Sequence, residues 1–510
     1  MSLASNRRQF LSTAASASAF AGMSQLGVLS ELPAVSAEEA KPDPKIVKLS
    51  GDIEPLVRVI EDTPQNRLLE EIAGRIRNGT TYREVVAALL LAAVRNVQPR
   101  PDVGHKFHAA LVVNSAHLAS ISTPDEHRWL PIFWALDHFK SSQAQDVREG
   151  NWTMGPVDES RVPPPHKARA AFIEAMDRWD EAAADAAVAG LARSAGSNEL
   201  FELFARYGCR DFRSIGHKAI FVANSWRTLN CVGWQYAEPV LRSLAYAILA
   251  RENQGGNPAE NDYAADRPGR KNVALAKKFR DDWQTGKIDS QATHDLLVTI
   301  YGGEADDLCN QIVETINRGV SPQSVWDALL VGSGELLMRQ PGIVGIHTLT
   351  TTNAMRYAFG TCGDEETQKL LLLQNAAFLT LFRGAMKGRP NFGTQKIEEL
   401  QPMEIPSAST NALESIFDAV SKNRMDAARQ TLAYARANPE PRDFINRART
   451  LIFQKGRDTH DYKFSSAVLE DYLHVSPAWR DRFLATSVFN LKGSGDGDNP
   501  LVQRTRQALA

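Results

Sequence analysis

Apolar residues recur at spacings of three and four from Thr63 almost to the end of the chain, and that period predicts helices nearly throughout. In "TPQNRLLEEIAGRIRNG" Leu68, Leu69, Ile72 and Ile76 share one face, with Thr63 as N-cap, Pro64 in the first turn and Gly79 as the stop. "TYREVVAALLLAAV" restarts at once, Thr81 and Glu84 standing at capping-box spacing. Runs alternating with the two-residue period of a strand are essentially missing. The expectation is an all-α fold.

The pattern also repeats. "IRNGTTYREVVAALL" (Ile76 to Leu90) returns as "INRGVSPQSVWDALL" (Ile316 to Leu330), where Ser321-Pro322 supplies the helix start. That offset of about 240 residues carries His108 onto His347 and Asn114 onto Asn353. A similar shift takes "DAAVAGLA" (Asp185 to Ala192) onto "DAARQTLA" (Asp426 to Ala433), and His217 close to His460. The chain therefore reads as two halves of two units each, over residues 52–150, 165–255, 287–390 and 411–496. Each unit is a helix pair, a helix that opens with His, and an apolar final helix. Polar, Pro-rich linkers are expected at 141–165, 252–272 and 388–410. A four-unit repeat closed around a central cavity brings the histidine-bearing helix starts together; an open solenoid strings them along a surface.

Charge narrows the partners. The 510 residues carry 58 basic and 60 acidic side chains, a balance that gives no electrostatic drive toward nucleic acid or anionic lipid. Cys209, Cys231, Cys309 and Cys362 form no CxxC or CxxCH, which argues against a zinc ribbon, an iron–sulfur cluster or covalent haem. The start of the chain, "SNRRQFLSTAASASAFAGMSQL", pairs Arg7-Arg8 with a soft Ala/Ser-rich run and small residues up to Ala37. This is the form of a twin-arginine export signal over residues 1–37, and it predicts a periplasmic or secreted protein exported folded. The run is too short and polar for a membrane span. No GxGxxG after a strand, Walker loop, HExxH or GxSxG elbow occurs.

The repeated histidines are the candidate chemistry. His105 and His108 lie on one helical face, His217 precedes Asn224 and Arg227, and His347 precedes Asn353 and Arg356. His460 is followed one turn on by Lys463, a costly residue on a buried face unless something anionic meets it. Converging imidazoles serve as general bases, as metal ligands (alone or with Asp458 or Glu238), or as donors to an oxyanion; spacing assigns no metal ligand among them. Asn114, Asn224, Arg227, Asn353 and Arg356 are candidate substrate-binding residues or bridges between helices. His117, His127, His138, His166, His294 and His474 read as structural, as do Trp134, Trp226 and Trp234.

The phrases "GHKFHAALVVNSA", "IGHKAIFVANSWR", "GIHTLTTTNAMR" and "DTHDYKFSSAVLE", in that order, resemble the histidine-bearing helices of the questin oxidase-like family, over roughly Pro55 to Lys492. The resemblance implies an all-helical oxidoreductase that oxygenates and opens polycyclic aromatic quinones in a Baeyer–Villiger-type reaction, with NADPH as a requirement. Carried over, it implies His105, His108, His217, His347 and His460 as catalytic residues, with Lys463 following. The expected partner is a small planar aromatic or quinone-like substrate. Two other readings stay open: a non-catalytic helical-repeat binding protein of the cell envelope, and a His-ligated metal-binding protein.

Overall fold

The structure, a computed structural model, describes residues 47, 49–100, 104–251, 255–390, 392–404 and 411–510, the side chains of 104 and 105 excepted. The expected export signal, residues 1–37, lies outside the described residues. Contacts separate Met1–Lys48 from Leu49–Ala510, and every helix below belongs to the second part. Among the described residues there are 22 α-helices and only one isolated bridge, Lys287 to Val320, in place of any strand. The all-α expectation holds.

In chain order these are α1 (Glu54–Asp62), α2 (Gln65–Arg77), α3 (Tyr82–Asn96), α4 (His108–Ile121) and α5 (Leu130–Glu149). Next come α6 (Pro165–Arg178), α7 (Glu181–Ala192), α8 (Ser197–Gly208), α9 (His217–Val232) and α10 (Ala237–Leu249). They continue with α11 (Arg267–Ala276), α12 (Ser290–Gly302), α13 (Ala305–Asn317), α14 (Pro322–Arg339), α15 (Ile343–Thr361) and α16 (Glu365–Lys387). The last six are α17 (Ala412–Lys422), α18 (Arg424–Ala437), α19 (Arg442–Lys455), α20 (Thr459–Asp471), α21 (Pro477–Thr486) and α22 (Pro500–Leu509).

Local signals place many of the ends. Thr81 and Glu84 form the capping box that starts α3, and Ser321 caps α14 ahead of Pro322. Two boundaries differ from the sequence reading. The linker expected from residue 141 begins as helix, because α5 runs on to Glu149. Its polar residues there have work to do: buried Asp146 and Glu149 hold the Lys106 ammonium at 3.0 and 2.8 Å, tying the turn before α4 to the end of α5. Part of the linker expected at 252–272 likewise belongs to α11.

Four helices form the centre. α4 packs on α9, α9 on α15, α15 on α20, and α20 back on α4, so the four close a cycle. All are buried through most of their circumference, α20 with many polar residues among those it buries. The other helices cover them, α5 against α4, α14 and α16 against α15. Phe107 meets Phe221 edge to face at 4.8 Å between ring centroids, which sets the entry of α4 against α9.

The entry to α9 is strained. Ser214, Ile215 and Gly216 all adopt left-handed conformations, with φ of 57, 46 and 82°, and a β-branched residue there is a steric outlier. The turn is held by buried charge: Asp211 binds Lys218 at 3.0 Å, and Arg213 binds Asp266 through two hydrogen bonds of 2.5 and 2.7 Å. Gly216 also faces Thr351 of α15 so closely that a Cβ would overlap its side chain. Gly216→Ala is therefore expected to destabilise the protein by about 2–4 kcal/mol, combining a positive φ with a backbone-to-helix clash. Urea denaturation measures this, and adding Thr351→Ala should restore part of the loss; equal stability of Gly216→Ala and the parent would contradict the packing.

Candidate metal centre

The starts of the four central helices meet in the core. His108 and His217 are the first residues of α4 and α9, His460 is the second of α20, and His347 lies one turn into α15. Their rings touch in a cycle: centroids are 4.9 Å apart for His108–His217, 4.7 Å for His217–His347, 5.1 Å for His347–His460 and 4.9 Å for His460–His108. All four residues are buried. Separations this short are those of rings in contact, so the imidazoles fill the space between themselves. A planar polycycle has no room among them and must meet the cluster from its rim.

Two rings are oriented by partners outside the cluster. His347 Nδ1 donates to the Ile343 carbonyl at 2.7 Å, and His460 Nδ1 donates to Asp458 Oδ1 at 2.6 Å. A carbonyl or carboxylate oxygen only accepts, so Nδ1 carries the hydrogen in each ring and Nε2 keeps its lone pair. His347 Nε2 lies 2.9 Å from His217 Nε2. Without an ion this contact requires His217 to donate, which fixes its tautomer as well. Asp458 serves twice, since the same oxygen caps α20 by accepting from the His460 backbone N–H at 2.7 Å.

Electrostatics keeps two of the four rings neutral. Burial, reinforced by the neighbouring Lys463 amine, holds His108 and His347 well below the ordinary imidazole range. Helix N-termini add to this by disfavouring positive charge. Lys463 is buried to 2 % exposure, and its Nζ has no hydrogen-bond partner among the described residues. Burial pushes this amine down to about 7, against the opposing pull of Asp458.

The donor set suits a transition metal. One ring nitrogen from each of His108, His347 and His460 lies within 4.8 Å of the others. Neutral imidazoles whose far nitrogens are held by a carboxylate or carbonyl are the usual outer support of such ligands. The cluster lies one side chain below the surface: Asp458, which touches His460, is 48 % exposed, and Ile343, whose carbonyl holds His347, is 39 % exposed.

The other sequence candidates fall elsewhere. Asn114, Asn224 and Asn353 follow their histidines by six or seven residues, about 10 Å along each helix, and form a second polar layer. Asn114 donates to Asn224 at 3.4 Å, and Asn224 donates to the Leu111 carbonyl at 2.9 Å. Arg227 donates to Asn353 at 3.2 Å and to Glu470 at 2.5 Å, over the face of Tyr357. Asn353 donates to Glu470 at 2.7 Å and to Asp471 at 2.9 Å. Arg356 lies over the rings of Trp326 and Phe359. Glu238 is paired with Arg193 on the surface and is not part of the cluster. The His105 side chain lies outside the described residues. The Ile343 carbonyl was not anticipated, because a backbone acceptor leaves no mark in the sequence.

Comparison with family models, with curated proteins and with solved structures returned no match. The reading of this centre rests on its geometry.

Asp471, in the second layer, offers a separate test. Burial, with Glu470 beside it, raises its carboxyl well above the ordinary carboxylate range, and its Oδ2 accepts no hydrogen bond among the described residues. Above about pH 4 the folded chain then keeps a proton that the unfolded chain has lost, so this group's contribution to stability falls as pH rises toward its folded pKa. Asp471→Asn keeps the acceptor for Asn353 and removes the titration. Its stability relative to the parent is expected to rise between pH 4 and pH 8, by about 1.4 kcal/mol for each unit of the shift. Parallel pH–stability curves would refute it.

Proposed function

We propose that this chain is an exported oxidoreductase of the questin oxidase type, acting on a planar aromatic or quinone-like molecule, and that its four-imidazole cluster holds one divalent transition-metal ion. The observation that carries the reading is the convergence of His108, His217, His347 and His460 from four helices, with the rings of His347 and His460 pinned at Nδ1. The repeat pattern read from the sequence supports it, since the first, third and fourth units supply His108, His347 and His460, whose donor nitrogens lie together, and the second places His217 against His347. Imidazole suits iron, copper, nickel and zinc. When bound, any of these ions would supply Lewis acidity at the cluster, and iron or copper would add one-electron redox capacity.

The protein's own groups do the rest. Asp458 fixes the His460 ring and sets a carboxylate beside the site. His108 and His347, kept neutral by burial, present lone pairs at physiological pH. Lys463, poised near neutrality, holds or returns a proton at a substrate oxygen that develops negative charge. The apolar walls of α4, α9, α15 and α20 keep bulk water from the cluster. The substrate approaches near Asp458 and Ile343, where the cluster comes closest to solvent.

Elemental analysis of the purified protein is expected to find close to one equivalent of a single transition metal, lost in His347→Ala and in His217→Ala. Asp458→Ala should bind the ion about 10–100-fold more weakly. Full metal content in both histidine variants, or none in the parent, would sink the metal reading. Lys463→Met separates function from stability: replacing an unpartnered buried amine with an apolar chain of similar length should raise Tm while lowering turnover at least about tenfold. Loss of both would mark Lys463 as structural.

A further inference from the structure

A second site lies among α6, α8, α11 and α16, around a cavity of about 750 Å³. Its walls include Trp179, Tyr207, Arg210, Asp262, Val273 and Leu370. Trp179, just past α6, takes a left-handed conformation with φ of 56°, uncommon for so large a residue. Its indole lies 4.0 Å from the Arg210 guanidinium, and the Tyr207 ring lies 5.2 Å from the same group. The backbone here is pinned as well. Gln374 Nε2 donates to the Cys209 and Arg210 carbonyls at 2.7 and 3.1 Å, and Gly269 approaches the latter where a Cβ would collide.

Arg210 is placed with care but only partly satisfied. Nη1 donates to the Met176 carbonyl at 2.7 Å, while Nε and Nη2 are buried and have no acceptor among the described residues. The neighbouring carboxylates are committed elsewhere. Asp211 binds Lys218 and Arg213, Asp266 binds Arg213, and Asp177 accepts from the Tyr207 hydroxyl at 2.8 Å. Burial accordingly holds the Arg210 guanidinium below its ordinary range. Two unmet donors on a desolvated cation form a standing cost that a two-oxygen anion relieves.

We propose that this cavity binds a small organic oxyanion, whose carboxylate or phosphate bridges Nε and Nη2 of Arg210 while its apolar body lies along Trp179, Leu370 and Val273. Arg210 lines the cavity, and binding requires its buried Nε–Nη2 edge to turn toward it. The geometry of two adjacent N–H groups selects a planar or tetrahedral oxyanion over chloride. The site is independent of the histidine cluster, so either assignment can fail without the other.

The test titrates inorganic phosphate and, separately, benzoate into the full protein at constant ionic strength, with chloride as the reference salt. Melting temperature and tryptophan fluorescence are followed. At least one anion is expected to raise Tm saturably, with a half-effect below about 5 mM. A phosphate response identifies a phosphoryl-bearing ligand, a benzoate response a carboxylate. Arg210→Gln should weaken the response at least about tenfold, and Val273→Trp, which fills the cavity from the opposite wall and leaves Arg210 in place, should abolish it. No saturable response to either anion, or a response that survives in either folded variant, overturns the proposal.

Discussion

Everything at the centre of this protein depends on four imidazoles being packed against one another where apolar side chains would otherwise stand. Buried polar rings are tolerated only when each nitrogen's hydrogen or lone pair is met, and here the solution is collective. His347 leans on a backbone carbonyl, His460 on a carboxylate, and His217 on His347. Ring contact requires the helix starts to sit at one level, which in turn constrains the turns that lead into them. The Lys106 clamp before α4, the Asp211–Lys218 pair around the strained entry to α9, and the Asp458 cap of α20 all act on those turns. The second polar layer, through Asn114, Asn224, Arg227 and Asn353, fixes the same helices farther along.

Burial and function pull against each other at Lys463. An amine without a hydrogen-bond partner lowers stability in a core, and evolution of stability alone replaces it. Its position beside buried imidazoles breaks the rule that buried polar groups are met, a rule the rest of the core largely keeps. Arg210 breaks the same rule elsewhere, again with donors that the protein leaves unmet. Both nitrogen groups are desolvated, which distinguishes them from the exposed charges of the outer helices.

Much of this was legible in the residue pattern. The helical period and caps such as Thr81–Glu84 carry local information, so the all-α class followed directly. His108, His217, His347 and His460 stood out because a titratable ring recurs at the start of otherwise apolar helices. What local pattern could not express was contact across the chain. The Ile343 carbonyl has no side-chain signature, the tightness of ring packing depends on helix spacing, and the Arg210 cavity is assembled from segments far apart in sequence. The linker reading after residue 141 failed for a related reason: Asp146 looks like loop composition until Lys106 is seen against it.

The cyclic packing of α4, α9, α15 and α20 has a bearing on biosynthesis. The contact that closes the cycle joins α20 to α4, so the first and last imidazoles come together only after α20 has left the ribosome. A nascent chain stalled before His460 holds three rings and an open seam, and the amine of Lys463 arrives in that same final stretch. Completion of the centre thus reports that the chain has folded through α20.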